Sequence, residues 1–209
     1  MSTDPDFALL SAWRRGDQAA GRRLLKTYFR SLYLFFSNKV AGDVSDLVQL
    51  TMLGCVEGRD RIREDGSFKA YLLGVARHRL YDHFAARARV GREAIASTPA
   101  QTLGPSPSSI VARKQQQRRL LAALREIPLE LQVVLELHYW EDLSTMDLAR
   151  VLGVPQGTAK SRLRRARQVL HEALLRVEPT LHGRTSAADL DRWARSIREE
   201  LEIRGLGER

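Results

Sequence analysis

Gln156, Thr158, Lys160, Ser161, Arg162 and Arg165 offer hydrogen-bond donors within a span of ten residues, and no acidic residue follows before Glu172. Leu163, Ala166 and Leu170 recur among them at a spacing of three to four, which predicts a helix that buries this stripe and turns the donors outward. Donors massed in the first turns of a helix suit phosphate oxygens and base edges, and the major groove of DNA is wide enough for one α-helix. Arg162 and Arg165 are the strongest candidates for guanine or phosphate contact, with Lys160 and Ser161 beside them. The plain alternative is an Arg-rich solvated face on an ordinary helical hairpin.

The rest of the charge supports the first reading. The chain has 209 residues, a formal charge of +9 and a pI near 10.3. The excess is concentrated rather than spread. Residues 68–92 carry six basic side chains against one acidic, Asp82; residues 112–127 and 156–178 are each strongly basic; residues 128–155 are acidic and 179–209 balanced. Segregated positive blocks in helical segments are the footprint of contact with a phosphate backbone.

The elements that must hold these residues are all helical. Ser144 caps a short helix, Gly153-Val154-Pro155 breaks it, and the basic helix runs from about Gln156 to Leu175: the layout of a helix-turn-helix. Before it, Leu120, Leu121, Leu124 and Ile127 form a stripe that stops at Pro128, and Leu131, Val134, Leu135 and His138 mark the next helix. In the first half, Asp17 caps a helix with Leu24, Tyr28, Leu32, Phe35 and Lys39 at helical spacing. Ser45 caps a second helix to about Arg59, with Leu47, Leu50 and Thr51 on one side. A turn at 64–67 precedes a third helix from Phe68 to about Arg89, with Leu72, Val75, Ala76, Leu80 and Phe84 inward. No stretch alternates long enough to argue a strand. Residues 97–109 hold three prolines, four serines and no charge, which predicts a flexible linker.

These motifs resemble the extracytoplasmic-function (ECF) group of the sigma-70 family of bacterial RNA polymerase sigma factors. Gly157-Thr158-Ala159-Lys160-Ser161-Arg162-Leu163, followed by Arg165-Ala166-Arg167, is similar to the family's region 4 signature. Asp46-Leu47-Val48-Gln49 with Thr51 resembles its core-polymerase-binding motif, and the run from Tyr71 to His83 resembles its −10 helix. Met52, Ala159 and Tyr71 stand where the family usually has Phe, Val and Trp, which keeps an apolar or aromatic residue at each position.

The resemblance implies an all-α chain of two small helical domains: a region 2 bundle over residues 1–95 and a region 4 helix-turn-helix over 112–178. A linker, 96–111, joins them, and a C-terminal helical extension covers 179–209. It implies that Asp43, Asp46, Leu47, Val48 and Gln49 dock on the β′ and β subunits of the polymerase core. Ser67, Phe68, Lys69, Tyr71, Arg77, His78, Arg79, Tyr81 and Asp82 would bind and melt the −10 element. In that set Phe68, Tyr71 and Tyr81 are stacking candidates, Lys69, Arg77 and Arg79 follow phosphates, and the Asp65-Gly66-Ser67 turn is placed like a base-capturing loop. Gln156, Thr158, Lys160, Ser161, Arg162 and Arg165 would read the −35 element of promoter DNA. An anti-sigma factor is a further partner that the resemblance leaves open.

Other classes fit less well. One cysteine, Cys55, excludes a disulfide framework, and the longest purely apolar run, residues 32–36, is far too short to span a bilayer. Five histidines show no zinc spacing and there is no nucleophile elbow, so neither an enzyme nor a metal or cofactor is expected. A cytoplasmic location follows. A helix-turn-helix regulator independent of polymerase remains the alternative, and it predicts neither the Asp-Leu-Val-Gln motif nor the basic aromatic helix at 68–92.

Overall fold

The computed structural model describes residues 5–37, 39–40, 42–62, 67–90 and 115–177. The expected linker, the extension at 179–209 and Asp65-Gly66 lie outside the described residues. Among those residues the chain is helical with no strand. The elements are α1 (Pro5–Arg14), α2 (Gln18–Ser37), α3 (Val44–Gly58), a 3-10 turn (Arg59–Arg61), α4 (Phe68–Val90), α5 (Gln115–Glu126), α6 (Leu129–Tyr139), α7 (Thr145–Leu152) and α8 (Gln156–Val177). The chain divides into two compact units, with α1–α4 in the first and α5, α6 and α8 in the second.

In the first unit, α1 is an element that the periodicity did not announce. It packs on α2 because Gly21 leaves room for the Trp13 indole, which a Cβ there would meet at 2.5 Å. The Arg14 guanidinium then donates to the carbonyls of Arg59 and Ile62, tying α1 to the 3-10 turn. Asp17 caps α2 as expected: its Oδ1 accepts the Ala19 and Ala20 N–H groups at 2.9 and 3.1 Å, a cap worth about 1 kcal/mol. Lys39, placed by its spacing in the α2 stripe, instead lies past the helix end and is wholly buried. Its Nζ donates to the Phe35 carbonyl at 2.6 Å and sits 4.0 Å from the centre of the Phe35 ring.

Two expectations for α3 change. Val44 is its first residue, so Ser45 lies inside the helix and Asp43 takes the N-cap position. Asp43 makes no side-chain cap bond, because its carboxylate faces α4, 3.8 Å from His83 Nδ1 and 4.0 Å from an Arg87 guanidinium nitrogen. Leu47 and Thr51 are buried, whereas Leu50 is 43% exposed. At about 100° per residue, a step of three from Leu47 turns the opposite way from a step of four, and only the latter stays inside.

Cys55 is completely buried, and that burial pushes its thiol from 9.0 up to about 12. The folded state holds the neutral thiol, so this residue favours folding below pH 9 and the benefit is lost as pH rises toward 12. The folded protein should therefore leave Cys55 unreacted with Ellman's reagent at pH 8, with full reaction in guanidinium. Rapid labelling of folded protein would overturn the packing role.

In the second unit, α5 ends ahead of Pro128, whose φ of −54° and ψ of 140° start α6. Residues 131–137 are all buried, so α6 is enclosed on every side rather than along one stripe. Its polar Gln132 is satisfied by donating to the Ile127 carbonyl at 2.9 Å. The basic helix α8 packs along α5 and α6, and Leu163, Ala166, Leu170, Ala173 and Leu174 enter the core. Arg167 clamps the pair: Nε donates to the Tyr139 hydroxyl at 2.6 Å and the guanidinium lies 5.5 Å from that ring's centre.

Candidate nucleic-acid interface and docking face

The helix-turn-helix is built from α7, a turn and α8. Ser144 caps α7 reciprocally, accepting the Asp147 N–H at 3.1 Å and donating to its carboxylate at 2.7 Å. Gly153 closes the helix at a φ of +66°, in the left-handed region that glycine enters without strain. Gln156 at the start of α8 donates to the Thr145 hydroxyl at 3.2 Å, linking the first turns of the two helices.

On α8, Gln156, Lys160, Ser161, Arg162 and Arg165 are exposed and Thr158 is half-buried. The positions directly opposite the buried stripe are Ser161, Arg164, Arg165 and Gln168, all exposed. Arg164 and Gln168 were missed by the sequence reading, which stopped at the motif; the helical wheel about Leu163 and Ala166 carried the signal. Arg162 and Lys160 fall on the two flanks, each beside the buried edge.

The second set lies on α4. Tyr71, His78, Tyr81 and Asp82 share its outward face. The Arg77 guanidinium stacks over the Tyr81 ring with 4.9 Å between centres, which joins a cation to an aromatic platform. Arg79 reaches back to α3, where Gly54 leaves space beside its guanidinium. Ser67 caps the helix by accepting the Ala70 N–H at 3.3 Å, and Lys69 is half-buried. Phe68 requires a correction: it is 2% exposed and its ring packs 5.7 Å from that of Tyr28. It begins the inward stripe, so it is a core residue and not a surface for stacking. Tyr71 is half-buried with its hydroxyl over Gly58, where a Cβ would come within 1.9 Å of the oxygen. Burial raises the Tyr71 hydroxyl above its ordinary pKa, Cys55 adds to the rise, and Arg61 opposes it.

The third set, on α3, separates into two faces. Asp46 and Gln49 are exposed, but Leu47 and Val48 are 4% and 1% exposed and belong to the core, which corrects their assignment to a docking surface. The exposed apolar residues are Leu50 and Leu53, 43% and 51% exposed, one and two turns beyond Asp46 on the same face. An acidic and apolar strip left uncovered by the described residues suits another protein better than it suits DNA. Among the described residues no group of three His, Cys, Asp or Glu is placed to hold a metal ion, and no helix is long and apolar enough to cross a membrane.

Comparison with known proteins finds two matching family models. Residues 18–90 match the family model for sigma-70 region 2, and residues 117–170 match that for sigma-70 region 4. The chain is 24% identical over 175 residues to the ECF RNA polymerase sigma-E factor of Escherichia coli, covering 79% of this chain and 92% of that protein. It is 24% identical over 185 residues to the RNA polymerase sigma-H factor of Pseudomonas aeruginosa, covering 83% and 96%. Among solved structures, CnrH in complex with the cytosolic domain of CnrY aligns with a TM-score of 0.58 at 22% identity, covering 84% of this chain and 99% of that one. The sigma factor RpoE in complex with the anti-sigma factor NepR from Bartonella quintana aligns with a TM-score of 0.53 at 26% identity, covering 74% and 94%.

Proposed function

Because the chain belongs to the ECF group of the sigma-70 family and is an RNA polymerase sigma factor for transcription initiation, we propose how its surfaces divide that work. The α3 strip of Asp46, Gln49, Leu50 and Leu53 docks on the polymerase core. The α4 face of Tyr71, His78, Tyr81 and Asp82, with Arg77 and Arg79, binds and opens the −10 element. The outward face of α8 reads the −35 element. Residues 1–95 and 112–178 are then the two working domains, with 96–111 between them. The observation that carries this reading is the segregation of the residues left outside the core: acids and leucines on α3, aromatics and cations with Asp82 on α4, and cations with neutral donors ahead of Glu172 on α8. CnrH is bound to the cytosolic domain of CnrY and RpoE to the anti-sigma factor NepR, which supports an anti-sigma factor for this chain as well.

The decisive experiment is run-off transcription with purified bacterial core polymerase and a library of DNA fragments, with and without this protein. Specific initiation only in its presence supports the reading and yields both promoter elements. Tight duplex binding without polymerase, and no initiation with it, would replace the reading by that of a polymerase-independent regulator.

Gly58 supplies a finer test of the −10 face. Gly58→Ala should push the Tyr71 hydroxyl off its seat at a cost of about 1–3 kcal/mol in packing, lowering the rate of promoter opening several-fold. Tyr71→Phe removes the nearest clashing atom, so the double variant should recover part of the loss. Opening that is unaffected by Gly58→Ala would separate Tyr71 from melting.

A further inference from the structure

The small net charge of residues 1–67, ten basic side chains against nine acidic, conceals a sharply polarised helix. Within α2 (Gln18–Ser37) there are four basic residues, Arg22, Arg23, Lys26 and Arg30, and no acidic one. On this same helix the rings of Phe29 and Tyr33 are 52% and 45% exposed. At about 100° per residue, Arg22, Lys26, Phe29 and Tyr33 fall within one narrow outward strip and Arg30 flanks it. Neither aromatic serves the core, which takes Leu24, Leu32 and Phe35 from the other side, with Phe36 buried at the strip's edge.

We propose that this face of α2 is a second binding site for single-stranded nucleic acid, separate from the α4 platform and beyond the function proposed above. Two rings a turn apart stand about 6 Å from one another along the axis, and each has a cation one turn before it or beside it. Rings that accept bases of any sequence, interleaved with cations that follow phosphates, are the elements of a sequence-tolerant single-strand site. The charge is complementary to that ligand. The acidic groups nearest the helix in sequence are engaged elsewhere: Asp17 caps the helix end, Asp43 faces His83 and Arg87 on α4, and Asp6 accepts the Tyr28 hydroxyl. A docking helix from another protein needs a continuous apolar strip, and here cations fill the strip for the two turns ahead of the rings and Arg30 flanks them. Duplex DNA cannot use the rings, because its bases are already stacked. The natural occupant is a strand exposed by promoter opening.

The test uses the full-length chain and fluorescence anisotropy of a labelled dT20 oligonucleotide, without polymerase. Phe29→Ala/Tyr33→Ala should weaken dT20 binding at least about tenfold, as expected for loss of stacked bases, with an unchanged thermal melt and unchanged affinity for duplex. Arg22→Gln/Lys26→Gln/Arg30→Gln should lower the slope of log affinity against log salt by about two. Unchanged dT20 affinity in both variants would overturn the proposal. So would loss of affinity for core polymerase or for an acidic peptide with dT20 binding intact, which would make the face a protein-docking surface. Because polymerase is absent from the binding assay, a failed run-off experiment leaves its result interpretable.

Discussion

Replacing Leu50 and Leu53 together with glutamate should abolish transcription directed by this protein while leaving its helical content and melting temperature unchanged. Both side chains are about half exposed on the α3 strip, so the fold does not depend on burying them. Their remaining surface is what a partner would cover. Full burial of a leucine contributes about 1.5–3 kcal/mol, so completing the burial of two half-covered ones contributes about 2 kcal/mol. Losing that alone lowers affinity for core polymerase about 30-fold, and two added carboxylates beside Asp46 and Glu57 lower it further. Titration of labelled protein with core polymerase measures the effect directly. Leu47→Ala is the contrasting variant. It removes a buried side chain, costs about 2–5 kcal/mol of stability, and should leave the affinity of the folded fraction unchanged. If Leu47→Ala weakens docking without destabilising the fold while the double glutamate variant does not, the face has been chosen wrongly.

The same contrast shows how far the sequence could be read. Helix type and order followed from spacing, because Leu163, Ala166 and Leu170, or Leu72, Ala76 and Leu80, repeat with one period and have Pro or Gly at their ends. Caps with a side-chain acceptor just before such a stripe, Asp17 and Ser144, were also legible. Which apolar residues stay outside was not. In α3 nearly every residue from Leu47 to Val56 is apolar or small, so periodicity alone does not mark one face, and Leu50 was grouped with Leu47. Only the positions of α2 and α4 decide that Leu47 is inside. Phe68 was ambiguous for a related reason: an aromatic at a helix start can stack on a base or on Tyr28, and the chain path of α2 settles it. The helix α1 was hidden because ten residues give few periods. Its signals, a proline at the first helical position and Trp13 eight residues later, mean little until Gly21 is seen beneath the indole. Local charge was also obscured by averaging, since the four cations of α2 are cancelled in the sum by acids on α1, α3 and the turns.

Arg165→Ala and Arg162→Ala should differ in kind, although the motif treats the two arginines alike. Arg165 lies opposite the buried stripe of α8, beside Ser161, Arg164 and Gln168, and points along the line that enters a groove. Arg162 lies on the flank, next to the buried edge, where a groove wall would carry phosphates. A side chain reading a guanine edge contributes about 1–3 kcal/mol of discrimination, so Arg165→Ala should cost about tenfold to hundredfold on the preferred −35 sequence and far less on a variant at the contacted base pair. Arg162→Ala should weaken all sequences by the same factor and reduce the salt slope by about one. Holoenzyme binding to a panel of single-base −35 variants, repeated over a range of salt, separates the two. A base-specific loss at Arg162 with a uniform loss at Arg165 would mean that α8 enters the groove rotated about its axis from the orientation that its buried stripe imposes. The free unit would then have to repack on binding. The enclosed α6, the Arg167–Tyr139 clamp and the Gln156–Thr145 bond all oppose that rotation, and so the rigid placement of Arg165 is the expected outcome.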